Sequence, residues 1–326
     1  MKAKARAHTN IALIKYWGKR DEELILPMNS SLSITLDRFF TETTVSFDQQ
    51  LDRDYFWLNN QEADQLETGK ITAFLNKVRT LAKLNCFAKV ESINHVPTAA
   101  GFASSASGYA ALAAASVKAA GLSLSLRELS QVARQGSGSA CRSIYGGFVE
   151  WQKGENPDGT DSYAVPILDQ DSWDLRVLSI EVTKETKQVL SRVGMKQTVE
   201  TSPFYQGWLA AAESELRTAK QAIANCDFSL LGQTLEANAL KMHATTLGTD
   251  PPFRYWKSET MQVMEEIEAL RAQGLESYFT IDAGPNVKVV CQPETEQELS
   301  KALAQLKVVQ NIYSCRIGPG VSYIAI

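Results

Sequence analysis

Pro97-Thr98-Ala99-Ala100-Gly101-Phe102-Ala103-Ser104-Ser105-Ala106-Ser107-Gly108, running straight into the helix-forming stretch Tyr109–Ala120, decides how this chain is read. Small and hydroxyl-bearing residues fill the segment, so its backbone can press close to a ligand. At a helix N-terminus the first amide N–H groups have no intrahelical acceptor, and the macrodipole leaves about half a positive charge there. Serine hydroxyls interleaved with such amides suit a polyphosphate. The competing reading is a flexible loop capped by serine. The strong helix that follows at once, and two further Gly/Ser segments downstream, favour the anion. The spacing matches neither GxGxxG nor GxxxxGK[ST], so a different anion cradle is implied.

Composition sets the bounds. A chain of 326 residues suggests two domains packed around a cleft, and 44% hydrophobic with 21% charged residues is the make-up of an ordinary soluble globular protein. A net charge of −4 gives no support for a nucleic-acid or anionic-membrane partner, so any phosphate-binding cations must be local. Ile11–Ile14 is too short for a signal-peptide core, and no run approaches the roughly 20 apolar residues of a membrane span. A cytoplasmic location is expected. Cys86, Cys141, Cys226, Cys291 and Cys315 never form CxxC, which fits reduced thiols better than disulfides or zinc. Three histidines, none paired at i,i+4, argue against a His-based metal site; a metal would arrive with a phosphate ligand.

Along the chain, Lys4–Ile14, Ser33–Leu36, Glu42–Phe47, Tyr55–Leu58 and Val90–Asn94 read as strands. Gly69–Leu84 reads as a helix with Ile71, Phe74, Leu75, Val78 and Leu81 on one face. Ser125 and Glu128 form a capping box that opens a helix to Gln135. Phe148–Trp151, Ala164–Ile167 and Arg176–Val182 are strands around the turn Asn156–Asp161. Beyond Pro203 come helices over Phe204–Ala224, Phe228–Thr246 and Arg254–Gln273. Strands Tyr278–Ile281, Val287–Cys291 and Ser322–Ile326, with helix Thr295–Leu306, complete an α+β second half. A mobile polar boundary is expected near residues 183–203.

Four more segments carry chemistry. Asn10-Ile11-Ala12-Leu13-Ile14-Lys15-Tyr16-Trp17-Gly18-Lys19-Arg20 places two lysines around two aromatics and a glycine at a strand end; it could hold a phosphate or be a solvated strand end. Gly136-Ser137-Gly138-Ser139-Ala140-Cys141-Arg142-Ser143 ends a small, hydroxyl-rich turn in arginine, whose fork suits a carboxylate or phosphate. Ser191-Arg192-Val193-Gly194-Met195 lies in the polar boundary. In Thr280-Ile281-Asp282-Ala283-Gly284-Pro285-Asn286, an acid stands at a strand-to-turn junction, where an aspartate is often only a turn former. His243, Trp208 and Trp256 read most simply as core or cleft wall. Trp17 can either pack beneath the site or touch substrate.

In this order the segments resemble the GHMP small-molecule kinase superfamily and, within it, the diphosphomevalonate decarboxylase family. The PxxxGxxSSAS loop marks the superfamily. Lys-Tyr-Trp-Gly-Lys, Gly-Ser-Gly-Ser-Ala-Cys-Arg-Ser and Asp-Ala-Gly-Pro-Asn mark the family, and the likeness spans essentially the whole chain. Phe102 stands where leucine is commoner, and Met28 where threonine is frequent; neither alters a site group. The resemblance implies a two-domain GHMP-kinase-like α+β fold. Its N-terminal domain (1–185) would be ribosomal S5 domain 2-like, its C-terminal domain (186–326) ferredoxin-like, with the site in the cleft between them.

It also implies ATP and Mg2+ as co-substrate and cofactor. The reaction would be decarboxylation of (R)-5-diphosphomevalonate to isopentenyl diphosphate, through phosphoryl transfer to the C3 hydroxyl and loss of phosphate and CO2. Asp282, Lys15 and Arg142 would be catalytic, with Asp282 orienting or deprotonating the C3 hydroxyl and Lys15 neutralising the transferring phosphoryl. Tyr16, Trp17, Gly18, Lys19, Lys70, Ser137, Gly138, Ser139, Ala140, Cys141, Arg142 and Arg192 would frame the substrate. Ser92 and Asn94 would meet adenosine. Pro97, Ala100, Gly101, Ala103, Ser104, Ser105, Ala106 and Ser107 would cradle phosphates, Ser191 would close on the γ-phosphate, and Mg2+ would be held through ATP with Ser105 as a possible ligand. A homodimer without nucleic-acid or membrane partners is implied. Three alternatives stand beside this: a kinase that stops at the 3-phosphate, an enzyme of the monophosphate, and a non-catalytic nucleotide-binding scaffold.

Overall fold

The computed structural model describes residues 1–96, 104–185 and 188–325. Two antiparallel-rich sheets share a set of helices between them. The first sheet has eight strands, ordered Ser322–Ile324, Lys2–Ile14, Ser31–Asp48, Phe87–His95, Tyr55–Leu58, Gln61–Glu62, with Phe148–Trp151 and Ala164–Leu168 branching from the strand Ser31–Asp48. Two strands expected at Ser33–Leu36 and Glu42–Phe47 are one. A bulge opposite the first strand, between His8 and Asn10, absorbs the residues between them without ending the ladder.

The alanine-rich helix Ser104–Ala119 lies across this sheet, burying Ala110, Ala111, Ala113 and Ala114 against Ala5, Ala7, Val45 and Val90. Small residues on both sides let helix and sheet approach closely. Ser104, Ser105 and Ser107 therefore form the helix's first turn. The capping box at Ser125 and Glu128 is present and opens the helix Leu126–Arg134. In the helix Gln65–Ala82, Phe74, Leu75 and Val78 are buried, but Leu81 is exposed.

The second sheet is ordered Ser277–Ile281, Val287–Cys291, Arg176–Glu181, Asn311–Arg316, with all three pairings antiparallel. Its two faces alternate as strands require. Leu178, Ile180, Phe279, Val287 and Val289 pack against the helices Ser258–Ala272 and Pro293–Leu303. Val177, Tyr278, Val290 and Cys315 point the other way. They meet the helices Tyr205–Ala224 and Phe228–Leu247 together with Ile11, Leu13, Leu32 and Ile34 of the first sheet. One apolar core thus joins both halves and fixes the cleft above it.

Three expectations need correction. Arg176–Glu181, placed by sequence before a division at 185/186, pairs in the second sheet; the change of sheet falls between Leu168 and Arg176. The last strand, expected to complete the second half, returns to pair Ile324 with Lys4 in the first sheet. The polar boundary contains a helix, Ser191–Thr201, anchored by buried Gly194, Met195 and Thr198. A periodicity of one buried residue per turn was hidden by the polar residues around it. No helix among the described residues is long and apolar enough to cross a membrane.

Candidate active site

The first strand ends at Ile14, and the chain carries Lys15 into the cleft almost wholly buried, at 2% exposure. Two amides hold it there. The Lys15 N–H donates to Asn238 Oδ1 at 2.8 Å, and Asn29 Nδ2 donates to the Lys15 carbonyl at 2.8 Å. Asn238 is itself braced by Glu215 Oε2 at 2.7 Å. The ammonium donates to the Ala12 carbonyl at 3.0 Å and to Asp282 Oδ1 at 2.7 Å. Residues 267 positions apart therefore meet across the cleft as an ion pair.

Asp282 follows the strand Ser277–Ile281 and keeps 30% of its side chain exposed towards the cleft. Burial opposes its charge, yet Lys15, Lys288 and Arg142 together hold its carboxyl below the ordinary carboxylate value. Burial likewise brings Lys15 below the ordinary lysine value, with Asp282 opposing. The Asp282 carboxyl is thus held towards its ionised form by the lysine it pairs with, and it is the aspartate side of the pair that faces the cleft.

Arg142 closes the opposite wall from the 3-10 turn Gly138–Ile144. It is 2% exposed. Nη1 donates to Ser31 Oγ at 2.7 Å and Nη2 to Asn10 Oδ1 at 3.2 Å, while Nε has no hydrogen-bond partner among the described residues. A buried guanidinium with an unused donor is ready for an anion. Asn10 is held in turn by donating to the Ser139 carbonyl at 3.0 Å and Ser143 Oγ at 2.8 Å.

Around these charges the cleft, about 230 Å³, is lined by Tyr16, Trp17, Lys19, Ser105, Ser137, Gly138, Ser139, Ser191, Arg192 and, at its base, Met195 and Met242. Arg192 reaches from the helix Ser191–Thr201 to donate to the Gly136 carbonyl at 3.0 Å, bringing that helix against the Gly/Ser turn. Lys19 pairs with Glu22. Gly138 lets Tyr16 and Trp151 meet edge to face at 4.7 Å, since a Cβ there would stand 2.7 Å from the indole.

A second cavity, about 240 Å³, adjoins the first through Ser105. Its walls are Phe56, Leu58, Ile71, Tyr109 and Leu112, with Thr41, Glu67, Lys70, Ser92, Asn94 and Ser104 among its polar groups. A hydroxyl ladder floors it: Asn94 Oδ1 accepts from Thr41 Oγ1 at 2.9 Å, Thr41 Oγ1 lies 2.8 Å from Ser107 Oγ, and Ser92 Oγ lies 2.8 Å from Thr43 Oγ1. Ser137 Oγ and Ser105 Oγ stand 3.5 Å apart where the two cavities join. A cleft lined by several charges and a second cavity with apolar side chains on its walls thus meet at a helix N-terminus. Among the described residues no three His, Cys, Asp or Glu side chains stand together to hold a metal.

Most site residues expected from sequence converge here. Lys70 does not; it lines the second cavity rather than the substrate cleft. Gly18, Ala140 and Cys141 shape the wall from behind. Gly18, at φ 102°, makes room for the Tyr205 hydroxyl that donates to the Trp17 carbonyl at 2.7 Å. Ala140 and Cys141 are fully buried, and burial pushes the Cys141 thiol up to about 12. Ala106 and Ser107 are buried inside the helix. Pro97, Ala100, Gly101 and Ala103 lie outside the described residues. His243 is buried between Trp256 and Tyr255, with Nε2 3.1 Å from the Ile281 carbonyl. Sequence reasoning passed over Asn10, Asn238 and Lys288 as site residues. Each had a signal, a polar side chain set among apolar neighbours.

Comparison with known proteins accords with this geometry. Residues 7–164 match the diphosphomevalonate decarboxylase-like N-terminal domain, and residues 177–318 match the mevalonate 5-diphosphate decarboxylase C-terminal domain. Mevalonate diphosphate decarboxylase from Staphylococcus aureus superposes with a TM-score of 0.95 at 48% identity, over 99% of this chain and 98% of that one. MDDEF in complex with MVAPP, AMPPCP and magnesium superposes with a TM-score of 0.94 at 51% identity, covering 100% of this chain and 99% of the other. The human diphosphomevalonate decarboxylase is 41% identical over 320 residues, 91% of this chain and 78% of that protein.

Proposed function

The chain belongs to the diphosphomevalonate decarboxylase family of the GHMP kinase superfamily, and from that premise we propose which residue does what in its reaction. That reaction is the ATP-dependent decarboxylation of diphosphomevalonate to isopentenyl diphosphate, with release of CO2, ADP and phosphate. The observation that carries the assignment is the Lys15–Asp282 pair, at 2.7 Å, lying in a cation-lined cleft that joins the second cavity at Ser105.

The nucleoside occupies the second cavity, where Ser92, Asn94 and Lys70 supply its polar contacts between apolar walls. Its phosphates run along the N-terminus of the helix Ser104–Ala119 towards Ser105. Ser191, at the start of its own helix, faces the same junction from the far side. Mg2+ arriving with the nucleotide would neutralise phosphate charge and be held mainly through the phosphates, with the exposed Ser105 hydroxyl as the protein's candidate oxygen ligand; the helix N-terminus itself serves the phosphates, not the cation.

Lys19 and Arg192, with Tyr16 and the Ser137–Ser139 turn, hold the substrate diphosphate. Arg142 takes the carboxylate with its unused Nε. The C3 hydroxyl then lies against Asp282, which orients it or accepts its proton as the new O–P bond forms. Lys15, already paired with Asp282, follows the developing charge on the transferring phosphoryl group. The C3–O bond breaks with the phosphate leaving, and the electron pair from the C–CO2 bond becomes the alkene. Arg142 steers the carboxylate that is lost.

The second sheet, numbered along its chain, runs 2-3-1-4, the order of a split βαβ ferredoxin-like unit. The first sheet with its alanine-rich helix is assigned as ribosomal S5 domain 2-like. Asp282 then comes from the second unit, and most nucleotide and substrate contacts from the first. A homodimer and a cytoplasmic location complete the reading; sedimentation and fractionation test those two. The reaction itself is checked by ADP release with diphosphomevalonate, CO2 being measured in parallel. Stoichiometric CO2 is expected. ADP without CO2 would show a kinase that stops at the 3-phosphate, and equal rates with the monophosphate would remove the diphosphate assignment.

A further inference from the structure

The reaction scheme above leaves Lys288 without a task. It sits within Val287–Cys291, a strand otherwise of valine and cysteine, and is 1% exposed. The strand is interior to the second sheet, and its register sets Lys288 between Thr280 on one side and Ser179 on the other. Paired residues of antiparallel strands point to one face, and so do residues two apart along a strand. Lys288 and Thr280 therefore share the face that carries Val290 and Tyr278 into the common core beneath the cleft, and Asp282 is the first residue past the end of Thr280's strand. Asp282 is the diagonal neighbour of Lys288, a separation of about 7–8 Å that a lysine stem spans.

The charged and titratable groups around Lys288 include, among the described residues, Asp282 and Lys15 on the cleft side, and Glu181 and Cys315 on the neighbouring strands. Glu181 occupies the other diagonal. Its Oε2 accepts from Asn311 Nδ2 at 2.8 Å and the Tyr313 hydroxyl at 3.0 Å, while its Oε1 has no hydrogen-bond partner among the described residues. Asp282 is served by Lys15, which the mechanism also requires at the phosphoryl group, and by Arg142, which the mechanism assigns to the substrate carboxylate. A buried carboxylate that loses its counter-ion takes up a proton.

We infer that Lys288 is a positioning residue, a second cation that keeps Asp282 ionised and aimed at the substrate hydroxyl while Lys15 is engaged with the transferring phosphoryl group. The inference rests on the reading of Asp282 as the group that handles that hydroxyl. Burial brings the Lys288 ammonium down to about 8, with Asp282 opposing, so its charge is present at neutral pH.

Lys288→Met keeps the stem and removes the charge. Its kcat for ADP and CO2 release is expected to fall by about tenfold or more, with both KM values within about threefold of the parent's and the acid limb of the kcat profile moved up by about one unit. In an Asp282→Asn background the same change should cost nothing further. Lys288→Arg, which keeps the charge, should retain the parental acid limb. Parental kcat and acid limb in Lys288→Met overturn the inference, as does an equal loss in the Asp282→Asn background or an acid limb displaced alike in both Lys288 variants. A lower melting temperature with an unchanged pH profile assigns Lys288 to Glu181 alone and overturns it too. If Lys288→Met does not fold, Lys15→Met carries the test. With Lys288 in place its residual activity keeps an acid limb within about one unit of the parent's, and a limb displaced further upward overturns the inference. Failure of the underlying reading shows separately, as parental activity in Asp282→Asn.

Discussion

Of the three side chains that carry the chemistry, Asp282 and Arg142 each contribute a property that a single substitution isolates. Asp282→Asn is nearly isosteric, so the fold and ligand binding survive while the charge at the C3 hydroxyl disappears. A general base contributes about two to four orders of magnitude, and kcat should fall that far with KM little changed. A variant retaining more than about a tenth of the parental kcat would make the acid a structural turn residue. Arg142→Lys preserves charge but not the fork that spans Ser31 and Asn10. Its kcat/KM should drop by at least about tenfold, since a lysine at a forked site leaves buried acceptors unpaired. Kinetics within twofold of the parent would sink the forked assignment, and a loss confined to KM would indicate ground-state binding only.

At the scale of elements, the helix Ser104–Ala119 does two jobs. Its alanines let it lie close on the first sheet, which sets its N-terminus where the two cavities join. Ser105 is exposed there, so Ser105→Leu should fold normally and raise the Kd for ATP far more than that for diphosphomevalonate. Nucleotide titration of the folded variant decides this; unchanged ATP affinity removes the helix from the phosphate site. The helix was readable from its composition, as were the capping box at Ser125 and the strand Phe148–Trp151, because each signal is local. The helix Ser191–Thr201 was not. Its buried positions are Gly194, Met195 and Thr198, a pattern with one large apolar residue, and only the contact of Arg192 with the Gly136 carbonyl reveals its purpose. Lys70 misled for the same reason: a cation at a helix start has a charge but no visible destination.

Across the whole molecule, the core that joins the two sheets also buries polar groups whose titration links stability to pH. His243 is buried beneath Asp282's strand, and burial lowers its imidazole from 6.5 to about 3, with the Ile281 carbonyl opposing. The folded state therefore keeps His243 neutral while the unfolded state binds a proton below pH 6.5. Stability from this group is complete above pH 6.5 and is lost progressively as pH falls towards about 3. Melting temperatures followed between those limits should decline, and a folded His243→Gln protein should show a shallower decline. Identical slopes would mean that other groups, such as the buried His8, carry the acid sensitivity.

By itself the sequence determined the chemistry on offer. Strand and helix periodicity, the serine-rich helix start, the two lysines around Tyr16 and Trp17, and the acid after Ile281 are short-range patterns, legible because side-chain identity and spacing alone produce them. Tertiary structure decided which of those groups meet. Lys15 and Asp282 are brought to 2.7 Å by one apolar core shared between two sheets, and no local rule encodes a contact 267 residues long. It also decided what their surroundings do to them. The same burial that hides Lys288 in a valine strand and Asn238 in a helix makes their polar groups act on the site, because a charge or amide removed from water must find its partner inside the protein.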